Sequence, residues 1–278
     1  MANIGMVLSG GFAKGAYQIG VLKAVNEIVH NEIKCISSSS IGSLNAYAFA
    51  TNEIQSAEQI WRNFDFRGFK SLKATNEKSS ISQVIEEMTN TQPTIMTDCF
   101  VTCLDINNLK LEYINLKDTN VAYLKDYLKA SISLPFMTKG VNIAGTRYVD
   151  GAIIDNVPIS PIKDYDLDYS IVIHFDKESY SFEDKQLDSK LIKINFLDTH
   201  FARNSFSFDR SSIGQMIDEG YSKTASLFET IFRQGTDDVE FIHQKVKETS
   251  SLTTPSKYRI TGDIVTNNMN KVAKKILL

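Results

Sequence analysis

The chain has 278 residues, 42% of them hydrophobic and 23% charged, a balance that supports one large core or a main domain with a modest extension. A formal net charge of -3 gives no electrostatic footprint for nucleic acid, which is not expected as a partner. No run approaches the ~18 apolar residues of a membrane span, so no transmembrane segment is expected; the start of the chain lacks the pattern of a cleaved signal, and cytoplasmic residence is the expectation.

Residues 4–8, Ile-Gly-Met-Val-Leu, form a short apolar run closed by a glycine pair and read as a strand. Tyr17, Val21, Ala24, Val25 and Ile28 then recur at spacings of three and four, which marks one buried face of a helix. Residues 34–39 read as a second strand, followed by a small-residue turn and a helix through Leu44, Ala46, Tyr47 and Phe49. Strand, turn and helix repeated twice within about fifty residues argue for parallel βαβ units.

Helical spacing returns at 54–64 and 81–88, the first carrying the lone Trp61 as a packing residue. Strands are predicted at 99–105 and 111–116, and a helix at 121–131 that stops before Pro135. Cys35, Cys99 and Cys103 lie in or beside these apolar runs without metal-type spacing and are expected as buried free thiols. Val141-Asn142-Ile143 and Arg147-Tyr148-Val149, split by Ala144-Gly145-Thr146, suggest a hairpin whose second strand delivers Asp150. After buried strands at 170–175 and 191–196, Ile213, Met216, Ile217, Gly220, Tyr221, Ala225, Phe228 and Phe232 line one side of a long amphipathic helix. The domain expectation is a catalytic unit over residues 1–200 and a helical C-terminal extension over 201–278 packed on it, ending in a docked helix.

Three segments carry chemistry. Ser9-Gly10-Gly11-Phe12-Ala13-Lys14-Gly15 stands between a strand and a helix, where glycines let the backbone aim successive N–H groups into one space. Ala16 and Tyr17 stand where a nucleotide-phosphate loop needs Lys and Ser or Thr, and Phe12 replaces the second glycine of a dinucleotide fingerprint; an oxyanion hole explains the turn better. In Ser38-Ser39-Ser40-Ile41-Gly42-Ser43, only Ser40 has a glycine two residues on and a helical pattern directly after, which a strained strand-to-helix elbow requires of its nucleophile. Asp150-Gly151 leaves a later strand, a turn signal when alone but the third part of an acyl-transfer machine in this company.

Together with Ser133-Leu134-Pro135 and Asp155-Asn156-Val157-Pro158, these segments resemble those of the patatin-like phospholipases. The resemblance covers residues 1 to about 200 and implies a three-layer α/β/α fold with a mainly parallel sheet and a helical C-terminal flank. It also implies a serine acyl hydrolase cleaving fatty-acyl esters of phospholipids or related lipids. In that reading Ser40 is the nucleophile and Asp150 the base. Gly10, Gly11 and Phe12 form the oxyanion hole, with Lys14, Gly15, Gly42 and Gly151 in support. No metal or other cofactor is required, and the partner is a lipid, met at a membrane surface or dispersed. Phe12, Ser38 and Ala152 stand where the family usually has glycine. A carboxylate with a reference pKa of ~3.9 is a weak base for serine, so Asp150 should be desolvated. Residues 134–137 and the Phe-rich 201–208 are the apolar stretches offered to an acyl chain. Two other readings stay open: a Ser-His-Asp esterase using His174 or His200, and a catalytically silent lipid-binding domain.

Overall fold

In β1 (Ile4–Leu8), Ile4, Met6 and Leu8 enter one apolar cluster and Val7 another, the period of two of a strand covered on both faces. The computed structural model describes residues 2–29, 32–63, 80–91, 93–175, 180–182, 184–196, 209–251, 257–259 and 261–276. A glycine-rich turn leads from β1 into α1 (Gly15–Ile28), and β2 (Ile33–Ser38) turns through Ser39 and Ser40 into α2 (Ile41–Ala50). The same clusters divide β7 (Tyr169–His174), with Ile171 and Ile173 on one face and Val172 on the other. Both β2 and β7 pair with β1 in parallel, and β9 (Leu191–Asn195) extends the parallel run beyond β7.

At β3 (Asp98–Asp105) the sheet changes character. Along one edge, β4 (Lys110–Asn115) pairs antiparallel with Phe100 to Asp105. The opposite edge is shared: β2 runs parallel to its first half, ending with Ser38 opposite Val101, while β6 (Thr146–Asp150) comes antiparallel to its second half and ends with Asp150 opposite Cys103. Two strands from remote parts of the chain therefore point their C-terminal ends at each other along one flank of β3. Their last residues are two positions apart in register, about 7 Å. β5 (Val141–Ile143) completes the eight-stranded mixed sheet as the hairpin partner of β6.

Helices cover the first face: α1, α2, α3 (Ile54–Asn63), α4 (Ser80–Thr89) and α5 (Val121–Ser131) contribute to one continuous cluster. α7 (Arg210–Ile231) joins them by lying against α1. A Cβ on Gly20 would stand 2.0 Å from the Ile217 carbonyl oxygen, and one on Gly220 would stand 2.2 Å from that of Tyr17. Ile28, expected on the buried face, is 41% exposed, because it is the last residue of α1. On the second face Val157, Ile159 and Ile162, the last from a 3-10 turn over Ser160–Asp164, close over Val7 and Val172, with α6 (Lys185–Ser189) beside them. β8 (Tyr180–Phe182) pairs in parallel with β10 (Lys257–Arg259), and α8 (Val239–Ser251) packs on α7. Finally α9 (Thr261–Ile276) buries Val272, with Val265 and Met269, against Leu104, Val149 and Ile154. Among the described residues no helix is long and apolar enough to cross a membrane.

Candidate active site

Ser40 caps α2 with φ 52° and ψ -131°, a conformation that a side chain adopts only where the surrounding structure holds it. Gly42 makes the turn possible, since a Cβ there would come within 2.8 Å of the Leu8 carbonyl oxygen. Serine is accommodated at position 38 by a bond: its hydroxyl donates to the Phe100 carbonyl at 2.8 Å. The Thr102 hydroxyl donates to the Ser38 carbonyl at 2.8 Å, and the Ser39 hydroxyl to the Asp155 carbonyl at 2.7 Å. The elbow is thus fastened to β3 and to the turn after β6. Its hydroxyl stands at the N-terminus of a ten-residue helix, where the backbone dipoles favour negative charge.

A buried chain of amides holds the glycine turn. Gln18 Nε2 donates to the Ser9 carbonyl at 2.7 Å; Asn45 Nδ2 donates to Gln18 Oε1 at 2.9 Å and to the Gly15 carbonyl at 3.0 Å; Trp61 Nε1 donates to Asn45 Oδ1 at 3.0 Å. Trp61 is therefore a polar anchor as well as a packing residue. Gly15 is required because a Cβ would meet the Trp61 ring at 2.9 Å, and Gly11 because one would meet the Phe175 ring at 2.3 Å. Phe12 sits at φ 52°, strained for a residue with a β-carbon, while its side chain packs against the main core. The Lys14 amide donates to the Gly11 carbonyl at 3.1 Å, and its ammonium lies 5.9 Å from the Phe175 ring centroid, bracing the turn from outside.

Gly10 touches the elbow directly: a Cβ would lie 2.8 Å from that of Ser40 and 2.7 Å from Asn156 Oδ1. Its amide, one of the three expected oxyanion donors, already donates to Asn156 Oδ1 at 3.0 Å, and Asn156 Nδ2 returns a bond to the Gly10 carbonyl at 3.4 Å. In this geometry Gly10 contributes close approach, and its amide is engaged. The Gly11 amide has no acceptor among the described residues.

Asp150 is 1% exposed. Its amide donates to the Ser133 carbonyl at 2.8 Å, and its Oδ1 accepts the Ala152 amide at 2.8 Å, so the alanine standing in a usual glycine position supplies a working contact. Gly151 must be glycine, since a Cβ would meet Thr102 Cγ2 at 2.6 Å. Oδ2 is buried and closes no hydrogen bond of normal geometry. Burial pushes the carboxyl up to about 7 against the downward pull of two hydrogen-bonding neighbours, the Ser40 hydroxyl first and the Ala152 amide second. The desolvation that a carboxylate base needs is present.

Ser40 makes no side-chain hydrogen bond to either described histidine, His174 or His243, while His30 and His200 lie outside the described residues. So does the Phe-rich stretch 201–208; Phe136 and Met137 are described and exposed. The three cysteines are free and buried, as their surroundings in the sequence suggested. Asn156, Gln18, Asn45 and Ser39 carried no role in the sequence reading. The available signal was a polar residue on an otherwise apolar helix face, for Gln18 and Asn45, since a buried amide demands partners.

The family model described as patatin-like phospholipase matches residues 6–162. An uncharacterized protein of Acanthamoeba polyphaga mimivirus is 26% identical over 238 residues, 78% of this chain and 79% of that protein. Lysophospholipase NTE1 of Cryptococcus neoformans var. neoformans is 25% identical over 183 residues, which are 62% of this chain and only 11% of the fungal protein. Among solved structures, VipD from Legionella pneumophila superimposes with a TM-score of 0.50 at 14% identity, over 83% of this chain and 67% of that one, a likeness of fold.

Proposed function

The chain belongs to the patatin-like phospholipase family of lipid-hydrolysing enzymes, and from that premise we propose that it cleaves fatty-acyl esters through an acyl-enzyme on Ser40, with Asp150 as the base. The observation that carries the reading is the isolated Asp150 carboxyl, buried, raised to about 7 and neighboured by the hydroxyl of a strained elbow serine. As Oγ of Ser40 attacks the ester carbonyl, Asp150 takes its proton. The developing oxyanion is held by backbone amides of the 10–12 turn, Gly11 foremost, because Asn156 engages that of Gly10. A donor of this kind contributes roughly 3 kcal/mol where it has been removed by mutation. Asp150 then returns the proton to the leaving alkoxide, the acyl group stays on Ser40, and a water deprotonated by Asp150 releases the fatty acid and regenerates the hydroxyl.

Lysophospholipids and phospholipids are the first substrates to try, the former because the fungal relative bears the name lysophospholipase. Fatty-acid release from a lipid panel, read by mass spectrometry beside hydrolysis of a short p-nitrophenyl ester, tests the proposal. Activity should vanish in both Ser40→Ala and Asp150→Asn with folding intact. Retained turnover in either variant, or loss of several decades on replacing His174, would defeat the dyad in favour of a histidine-dependent esterase.

A further inference from the structure

We propose that the rim beside Asp150, made of residues 134–139, the 144–147 hairpin turn and the C-terminal half of α9, is a docking surface for an anionic lipid bilayer; this rests on the hydrolase reading and adds where the enzyme meets its substrate. Phe136 and Met137 are 56% and 49% exposed, in the loop whose Ser133 carbonyl accepts the Asp150 amide, and Ile153 in the following turn is also exposed. Single exposed apolar residues are ordinary, but here two lie in the loop that follows the Ser133 carbonyl bonded to Asp150 and the third in the turn that follows Asp150. Phe136 also holds φ at 66°, a strained backbone for a residue with a β-carbon.

Charge points the same way. Across residues 132–149 and 264–275 every charged side chain is basic: Lys139, Arg147, Lys271, Lys274 and Lys275, all exposed, in a chain whose net charge is -3. The Lys275 ammonium lies 5.6 Å from the Phe136 ring centroid, which joins the helix end to the apolar loop. Neighbouring acids are engaged: Asp105 is buried and accepts from Asn107 and Asn108, and Glu112 accepts from Lys110 and Tyr148.

The patch is held in place and stands on the substrate side. Val272 of α9 is buried, and Asn268 Nδ2 donates to the Ile154 carbonyl at 2.9 Å, so the helix is bound to the strand and turn that carry Asp150. Because β6 runs down toward Asp150 against β3, the hairpin it starts from stands beyond the sheet edge where β2 delivers Ser40. Apolar tips flanked by lysines fit acyl chains beneath a layer of anionic headgroups, the arrangement by which interfacial segments bind bilayers.

Ser40→Ala protein, which cannot turn over lipid, is sedimented with vesicles of phosphatidylcholine alone or mixed with phosphatidylglycerol. We expect about tenfold stronger partition onto the mixed vesicles near 0.1 M salt, mostly lost above about 0.5 M. Adding Lys274→Glu and Lys275→Glu should erase the preference, and Phe136→Ser with Met137→Ser should weaken binding to both vesicle types. With Ser40 restored, the lysine pair should leave turnover of a dispersed p-nitrophenyl ester unchanged. Equal partition onto the two vesicle types, or a preference that survives the lysine substitutions, overturns the surface. The parent chain's turnover of the dispersed ester reports separately on the hydrolase reading, so either idea can fail without the other.

Discussion

The two sides of the proposed active site, that of the nucleophile Ser40 and that of the base Asp150, are built by opposite means. On the nucleophile side, Ser9, Gly15, Gln18, Asn45 and Trp61 are joined in a closed set of buried hydrogen bonds, and glycines stand where any Cβ would collide. On the base side, Asp150 keeps one buried carboxylate oxygen without a bond of normal geometry. The first arrangement gives rigidity, since buried side-chain amides bonded to the turn and across three helices fix one geometry. The second suits the proposed proton transfer: a carboxylate stabilised by several donors would be too weak a base to accept a serine proton. An elbow strained at φ 52° can serve such a base only if the nucleophile side does not yield.

The sharpest way to break this contrast is Asp150→Asn, which should move activity and stability in opposite directions. Turnover should fall about 10⁴-fold, the scale seen when an acid essential to an acyl transferase is neutralised. Stability should rise. The folded carboxyl titrates at about 7 against an unfolded value near 3.8, so its contribution is fully present below pH 4 and is lost as pH rises through 7. At pH 8 the amide should therefore gain about 1–3 kcal/mol in chemical denaturation, with the gain vanishing at pH 4. Under the proposed dyad the same group sets the rate profile of the parent chain, whose kcat/KM should drop tenfold per unit below an apparent pKa near 7. An acid limb near 4 would mean that the desolvation is not felt.

Next in size is Gly220→Ala. Its methyl group would have to enter at 2.2 Å from the Tyr17 carbonyl oxygen, forcing α7 away from the helix that follows the glycine turn. A loss above about 3 kcal/mol in thermal unfolding is expected, as for strong overpacking. Asn45→Ala tests the network itself by depriving Gln18, Trp61 and the Gly15 carbonyl of partners, with an expected loss of about 2–3 kcal/mol. A change within about 0.5 kcal/mol would assign the rigidity to packing alone.

The smallest effect sharpens the boundary between the two sides, where Asn156 grips both polar groups of Gly10. Asn156→Ala should lower kcat about tenfold with KM little changed, and Asn156→Asp, which keeps the acceptor for the Gly10 amide, should recover most of it. Equal losses in both variants would show that the contact serves stability and not the placing of the turn.

Much of this site is legible in the residues. The short apolar runs of β1 and β7, the helical spacing of α1 and α7 and the small residues around Ser40 report conformations decided within a few neighbours along the chain. Gly42 and Gly151 can be named from the sequence as required, although the atoms that require them, Leu8 O and Thr102 Cγ2, cannot. Asn156 stands in a quoted motif yet gives no sign that it would take the Gly10 amide, because that bond joins residues 146 positions apart.

By itself, then, the sequence determined most of the elements and which serine stands on an elbow, which follow from local sterics and hydrophobic periodicity, and its motifs carried the family resemblance, while α6, β8 and β10 were not read from it. Only the tertiary structure decided that Ser38 and Asp150 end on one flank of β3, that the carboxyl lies in a medium dry enough to raise it to about 7, and that Phe136 is left facing water. Strand register and desolvation sum contributions from segments far apart in the chain, and no window of neighbouring residues contains that sum.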